Sequence, residues 1–94
     1  MKKFKDLGVN DTFIKALNEL SIKQPTEIQE QVIPLLLNSE TDLIGQAQTG
    51  TGKTAAFGLP ILQNTNVDLK EIQTLVLCPT RELGQQIAKQ FFKF

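Results

Sequence analysis

An α/β fold, with parallel strands flanked by helices, is the architecture this sequence implies. From Asp42 onward the apolar pattern runs strand, helix, strand, helix, the order of a βαβ unit followed by one more helix. Thr74-Leu75-Val76-Leu77-Cys78 is an unbroken apolar run, the pattern of a strand covered on both faces. A glycine-containing loop separates the first strand from its helix.

Composition narrows the class. The chain has 94 residues, 40% apolar and 21% charged, so it holds one small domain at most and is neither a disordered tail nor a collagen-like repeat. Ten Lys and Arg balance ten Asp and Glu, and no chain-wide basic footprint marks a nucleic-acid binder. With no histidine and one cysteine, Cys78, the chain cannot build the usual zinc sites, a Ser-His-Asp triad, a Cys-His pair or a disulfide framework. Apolar runs such as Leu35-Leu36-Leu37 fall far short of the roughly 20 residues a membrane helix needs, and no export signal opens the chain. It reads as a cytoplasmic protein that does not enter the membrane. Protein partners are not legible.

The elements follow in order. Lys2, Lys3 and Lys5 are expected to be a solvated, mobile terminus. Asn10 and Asp11 are good N-cap types, and Ile14, Leu17 and Leu20 recur at helical spacing, which predicts a short amphipathic helix over 11–20. Pro25 biases Gln24 toward extended backbone. Thr26 then caps a second helix whose stripe is Ile28, Val32, Leu35 and Leu36, with Pro34 inside it as a source of a kink. Residues 42–45 read as a short strand. Residues 54–59 read as a helix with Pro60 near its kink or end, and 63–70 as a surface connection. Residues 74–78 form the second strand, and Leu83, Ile87 and Phe91 mark a final helix after Pro79. Residues 1–41 thus form a helical region and 42–94 a βαβα unit.

The most informative stretch is Ala47-Gln48-Thr49-Gly50-Thr51-Gly52-Lys53-Thr54, between the first strand and its helix. It matches the phosphate-binding loop pattern except at Ala47, where that pattern has glycine. Gly50 and Gly52 allow backbone approaches that a Cβ would obstruct, so amide N–H groups can converge on phosphate oxygens. Lys53 brings positive charge to the terminal phosphates, Thr54 offers a hydroxyl to Mg²⁺, and the helix start adds unpaired donors. The bland alternative is a glycine-rich turn between strand and helix. Strand before, helix after and Gly-Lys-Thr at the helix start favour nucleotide binding.

Three blocks in order resemble the first motor domain of DEAD-box ATP-dependent RNA helicases: Gln24-Pro25-Thr26-Glu27-Ile28-Gln29, Ala47 through Thr54, and Pro79-Thr80-Arg81-Glu82-Leu83. The resemblance extends to Ile33-Pro34 and Thr54-Ala55-Ala56-Phe57, and alanine is usual in that family where Ala47 stands. It implies a partial P-loop NTPase domain of RecA-like fold. It implies ATP and Mg²⁺ as cofactors, with Phe4, Gln29, Ala47, Thr49, Gly50, Thr51, Gly52, Lys53 and Thr54 around the nucleotide. Lys53 and Thr54 would be the catalytic members and Thr54 the metal ligand. Gln29 would read the adenine edge and Phe4 would stack on the ring. A side-chain amide suits that reading because it offers donors and an acceptor together. Read as residues alone, Thr26 and Gln29 are also a capping box, and Phe4 is also an ordinary core aromatic. The family often has glycine where Ser21 stands and an aromatic where Ile22 stands.

The third block is implied to contact the RNA sugar-phosphate backbone through Pro79, Thr80, Arg81 and Gly84, without sequence preference, since phosphates carry no base identity. Without the resemblance, Thr80 is a helix cap and Arg81 a solvated charge. Cys78 reads as an inert core thiol. The family's Asp-Glu-Ala-Asp and Ser-Ala-Thr blocks are not in this sequence, and the helical stripe reaches the aromatic end Phe91-Phe92-Lys93-Phe94. The expectation is therefore a truncated domain that binds nucleotide and RNA without hydrolysing ATP by itself. The alternatives are a stand-alone nucleotide-binding fragment and a nonfunctional truncation.

Overall fold

The computed structural model describes residues 2–38, 42–48 and 52–94. Helices dominate it: a 3₁₀ turn Phe4–Leu7, then α1 (Asp11–Glu19), α2 (Glu27–Asn38), α3 (Lys53–Asn64) and α4 (Arg81–Lys93). None of them is long and apolar enough to cross a membrane.

The N-terminal lysines are exposed, and Lys5 lies within the 3₁₀ turn. Phe4 and Leu7 lie three residues apart, so one 3₁₀ turn points both inward, and both are buried. The turn starts where the Lys3 amide donates to Asp6 Oδ2 at 2.8 Å and ends at Gly8, whose φ is 98°. Helix α1 follows the expected bounds closely and buries Leu17 completely. Its exit is a Schellman turn. The Ile22 amide donates to the Leu17 carbonyl at 2.8 Å and the Ser21 amide to the Asn18 carbonyl at 3.0 Å, the paired bonds of that motif. Ser21 takes the left-handed position, with φ of 62°, and Ile22 packs against the core that contains Leu17.

Helices α2 and α3 are the main packed pair. Helix α2 carries Pro34 and α3 carries Pro60 within their length. Pro60 does not end α3, which runs on to Asn64; a proline withholds one amide bond yet fits a helix whose surroundings hold it, and Pro60 is buried. The core joins Phe4, Leu7 and Val9 from the N-terminal segment, Leu17 from α1, Ile33 from α2, and Ala55 and Leu59 from α3. Leu35, expected in the α2 stripe, is exposed instead.

Helix α4 packs mainly on α3. Gly58 gives it a seat: a Cβ there would lie 2.8 Å from the Phe91 ring, and the Phe57 and Phe91 rings stand 6.0 Å apart. The connection over 65–80 is held locally, with Gln73 donating to the Asn66 carbonyl at 2.7 Å and accepting from its amide at 2.9 Å.

Segments 42–45 and 74–78, expected as strands, contain no strand among the described residues. A ladder needs a neighbouring backbone to exchange N–H and C=O bonds with, and none is formed among the described residues. Ile44, Leu75 and Leu77 accordingly lie exposed.

Candidate nucleotide-binding site

The N-terminal ends of α2 and α3 meet, and one glutamine joins them. Gln29 is 3% exposed. Its Oε1 accepts from the Thr26 amide at 2.9 Å, and the Gln29 amide reaches Thr26 Oγ1 at 3.4 Å, so the capping box is formed. The other end of the same side chain leaves its own helix: Nε2 donates to the Gly52 carbonyl at 3.0 Å. That carbonyl also accepts from the Ala56 amide at 3.2 Å. It therefore opens α3 and anchors α2 at once.

A side-chain amide has two acceptor lone pairs and two N–H donors. Those bonds use one of each, which leaves one acceptor site and one donor. Capping and reading a base are thus compatible in the same residue. Gly52 is required where it stands. Its φ is 85°, and a Cβ there would run into the Gln29 amide and come within 3.3 Å of Thr26 Cγ2. Lys53 is the exposed first residue of α3 and Thr54, half-buried, the second. The first amides of a helix have no acceptor within it, so Lys53 charge, Thr54 hydroxyl and free donors converge at one helix end. That donor set fits a phosphate chain with a divalent cation. Gln29, Gly52, Lys53 and Thr54 all line one cleft of about 1480 Å³, which continues past them to Leu75, Ile87 and Phe94.

The other expected site residues divide. Ala47 is half-buried in the extended segment 42–48. Thr49, Gly50 and Thr51 lie outside the described residues. Phe4 does not line the cleft; it is 3% exposed, packed in the core with Leu7, Val9 and Ile33. In this structure Phe4 packs as a core aromatic. Its spacing from Leu7 was the signal for burial.

The third block gathers at the start of α4. Thr80 Oγ1 accepts from the Leu83 amide at 3.2 Å, a side-chain N-cap. Arg81 opens the helix and is exposed, and Pro79 is exposed beside it. Gly84 is half-buried, and a Cβ there would lie 4.0 Å from Cys78 Sγ, an ordinary contact that leaves room for alanine. The bond from Gln29 to Gly52 had no local signature, because its ends lie 23 residues apart.

The helices superpose on solved DEAD-box structures, which makes the chain part of a RecA-like α/β domain. The DEAD/DEAH box helicase family model matches residues 26–94, and the chain belongs to that family. It is 47% identical over 91 residues to the ATP-dependent RNA helicase CshA of Limosilactobacillus reuteri, covering 97% of this chain and 18% of the relative. A crystal structure of a DEAD box protein from the hyperthermophile Methanococcus jannaschii superposes with a TM-score of 0.90 at 38% identity, over 97% of this chain and 25% of that one. Dbp5 of Saccharomyces cerevisiae bound to RNA and ADP BeF3 gives 0.92 at 36% identity, over 99% and 24%. The chain thus spans less than a fifth of that curated relative and about a quarter of those structures.

Proposed function

We propose that this chain holds ATP and Mg²⁺ as the nucleotide-binding part of an ATP-dependent RNA helicase. The observation that carries this reading is the Gln29 bond to the Gly52 carbonyl. It sets a half-satisfied amide next to Lys53 and Thr54, so that a base reader and a phosphate cradle share one edge of the molecule. Gln29 reads the adenine edge with its remaining donor and acceptor. Lys53 and the first amides of α3 take the terminal phosphates. Thr54 is the residue that would hold Mg²⁺, which when bound offsets the charge of the triphosphate.

The start of α4 serves RNA in the same reading. Arg81 charge and the exposed helix start suit a phosphate oxygen, and such contacts bind without regard to base sequence. The resemblance of 79–83 to the family's third block supports this role for Pro79, Thr80, Arg81 and Gly84. Turnover by these 94 residues alone is not expected. Phosphoryl transfer also asks for an acidic Mg²⁺ ligand, a group that places water, and an arginine at the transition state.

Calorimetric titration with Mg²⁺-ATP and Mg²⁺-GTP tests the reading. The wild-type chain is expected to prefer ATP, and Gln29→Ala to lose that preference. Equal loss for both nucleotides would return Gln29 to capping alone, and no binding by the wild type would end the proposal. In an ATPase assay with RNA and Mg²⁺, the expected result is no RNA-stimulated turnover.

A further inference from the structure

A second glutamine clamps the far end of α3. Gln63 Oε1 accepts from the Asn10 amide at 2.8 Å, and its Nε2 donates to the Gly8 carbonyl at 2.8 Å. The two bonds hold three consecutive residues of a segment more than fifty positions earlier. Between the held atoms lies Val9, which is buried and whose amide donates to the Phe4 carbonyl at 3.2 Å. Gly8, at φ of 98°, gives the turn that presents its carbonyl.

The clamped segment touches both helices of the site. Phe4, Leu7 and Val9 share one core with Ile33 of α2 and with Ala55 and Leu59 of α3. Ile33 stands one helical turn after Gln29, and Ala55 two residues after Lys53. Packed interiors pass on displacements because they contain few voids. The register of the N-terminal segment therefore sets how α2 lies on α3, and with it the reach of Gln29 to Gly52.

We infer that Gln63 is a positioning residue for base recognition, acting through the N-terminal segment on the Gln29 amide. This inference rests on the nucleotide reading above. The clamp demands an amide, since one donor and one acceptor are used on adjacent backbone groups. Glutamate keeps the acceptor for Asn10 but turns a second acceptor toward the Gly8 carbonyl. Methionine keeps the length and supplies neither.

The test compares wild type, Gln63→Glu and Gln63→Met in the full 94-residue chain. Binding of Mg²⁺-ATP is expected to weaken about three- to tenfold in both variants, the size of one or two lost hydrogen bonds. Mg²⁺-GTP binding is expected to change less, so the ATP to GTP ratio falls. A role confined to stability lowers the melting temperature and leaves that ratio unchanged, and this result would overturn the inference. A second readout needs no nucleotide: the Gln29 side-chain amide resonance is expected to shift in both variants, and an unmoved resonance is equally fatal. If the wild type binds neither nucleotide, the proposed function fails by itself, and the Gln29 resonance still decides whether Gln63 positions it.

Discussion

Gly52 shows how much one residue can hold. Its left-handed backbone turns the chain into α3 while its carbonyl serves both Ala56 and Gln29. Gly52→Ala is expected to cost about 1–2 kcal/mol from the backbone conformation alone, and more because the new Cβ meets the Gln29 amide. Thermal unfolding measures the cost, and ATP titration should show weaker binding. Lys53→Ala should behave differently. Lys53 is exposed at the helix start, so its loss should leave the melting temperature almost unchanged while reducing affinity for ATP. Ser21 is the opposite case, a residue in a position that favours glycine, at φ of 62°. Ser21→Gly relieves a penalty of about 1–2 kcal/mol but adds freedom to the unfolded chain worth about 0.4–1 kcal/mol. A net gain of up to about 1.6 kcal/mol is expected in a denaturation curve, and Ser21→Val should lose stability, since β-branching makes a positive φ harder to adopt.

At the scale of elements, helices were readable in the sequence where periodicity and capping are local, and strands were not. Leu17 at its stripe position, Thr80 as a cap and the Gly-Lys-Thr start of α3 all depend on residues within about one turn of each other. The apolar run 74–78 states that these side chains favour burial, but a strand is defined by its partner, and the run does not name one. Phe4 is ambiguous for a related reason, since only the packing of α2 and α3 decides whether an aromatic six residues before Asn10 faces a ligand or a core. Gln63 left no trace in its own neighbourhood because its partners are 53 and 55 residues away. Helix α4 depends most on local terms, for none of its residues is buried. Thr80→Ala removes its only side-chain cap bond and should cost about 1 kcal/mol, seen as faster amide exchange across its first turn. Gly58→Ala should loosen the other end, by pushing the Phe91 ring from its seat on α3.

The molecule as a whole is built on one side. The buried core lies among the N-terminal segment, α1, α2 and α3, whereas 71–77 is exposed throughout. Within that segment Leu75 is 77% exposed, Val76 38% and Leu77 85%. Leu75 and Leu77 are thus the barest of an apolar row in which Val76 is the most covered. Apolar, exposed and in no ladder among the described residues, such a row offers its side chains to another chain. Zero formal net charge supplies no general repulsion against that approach. The 94-residue chain is therefore expected to self-associate as its concentration rises, visible in sedimentation velocity as a growing fast boundary. Leu75→Lys combined with Leu77→Lys should abolish the fast boundary. Both side chains are exposed, so their replacement should alter stability by no more than about 0.5 kcal/mol each. A wild-type chain that stays monomeric at all concentrations would refute this account of the bare row. Association that persists in the double variant would place the contact elsewhere on the surface.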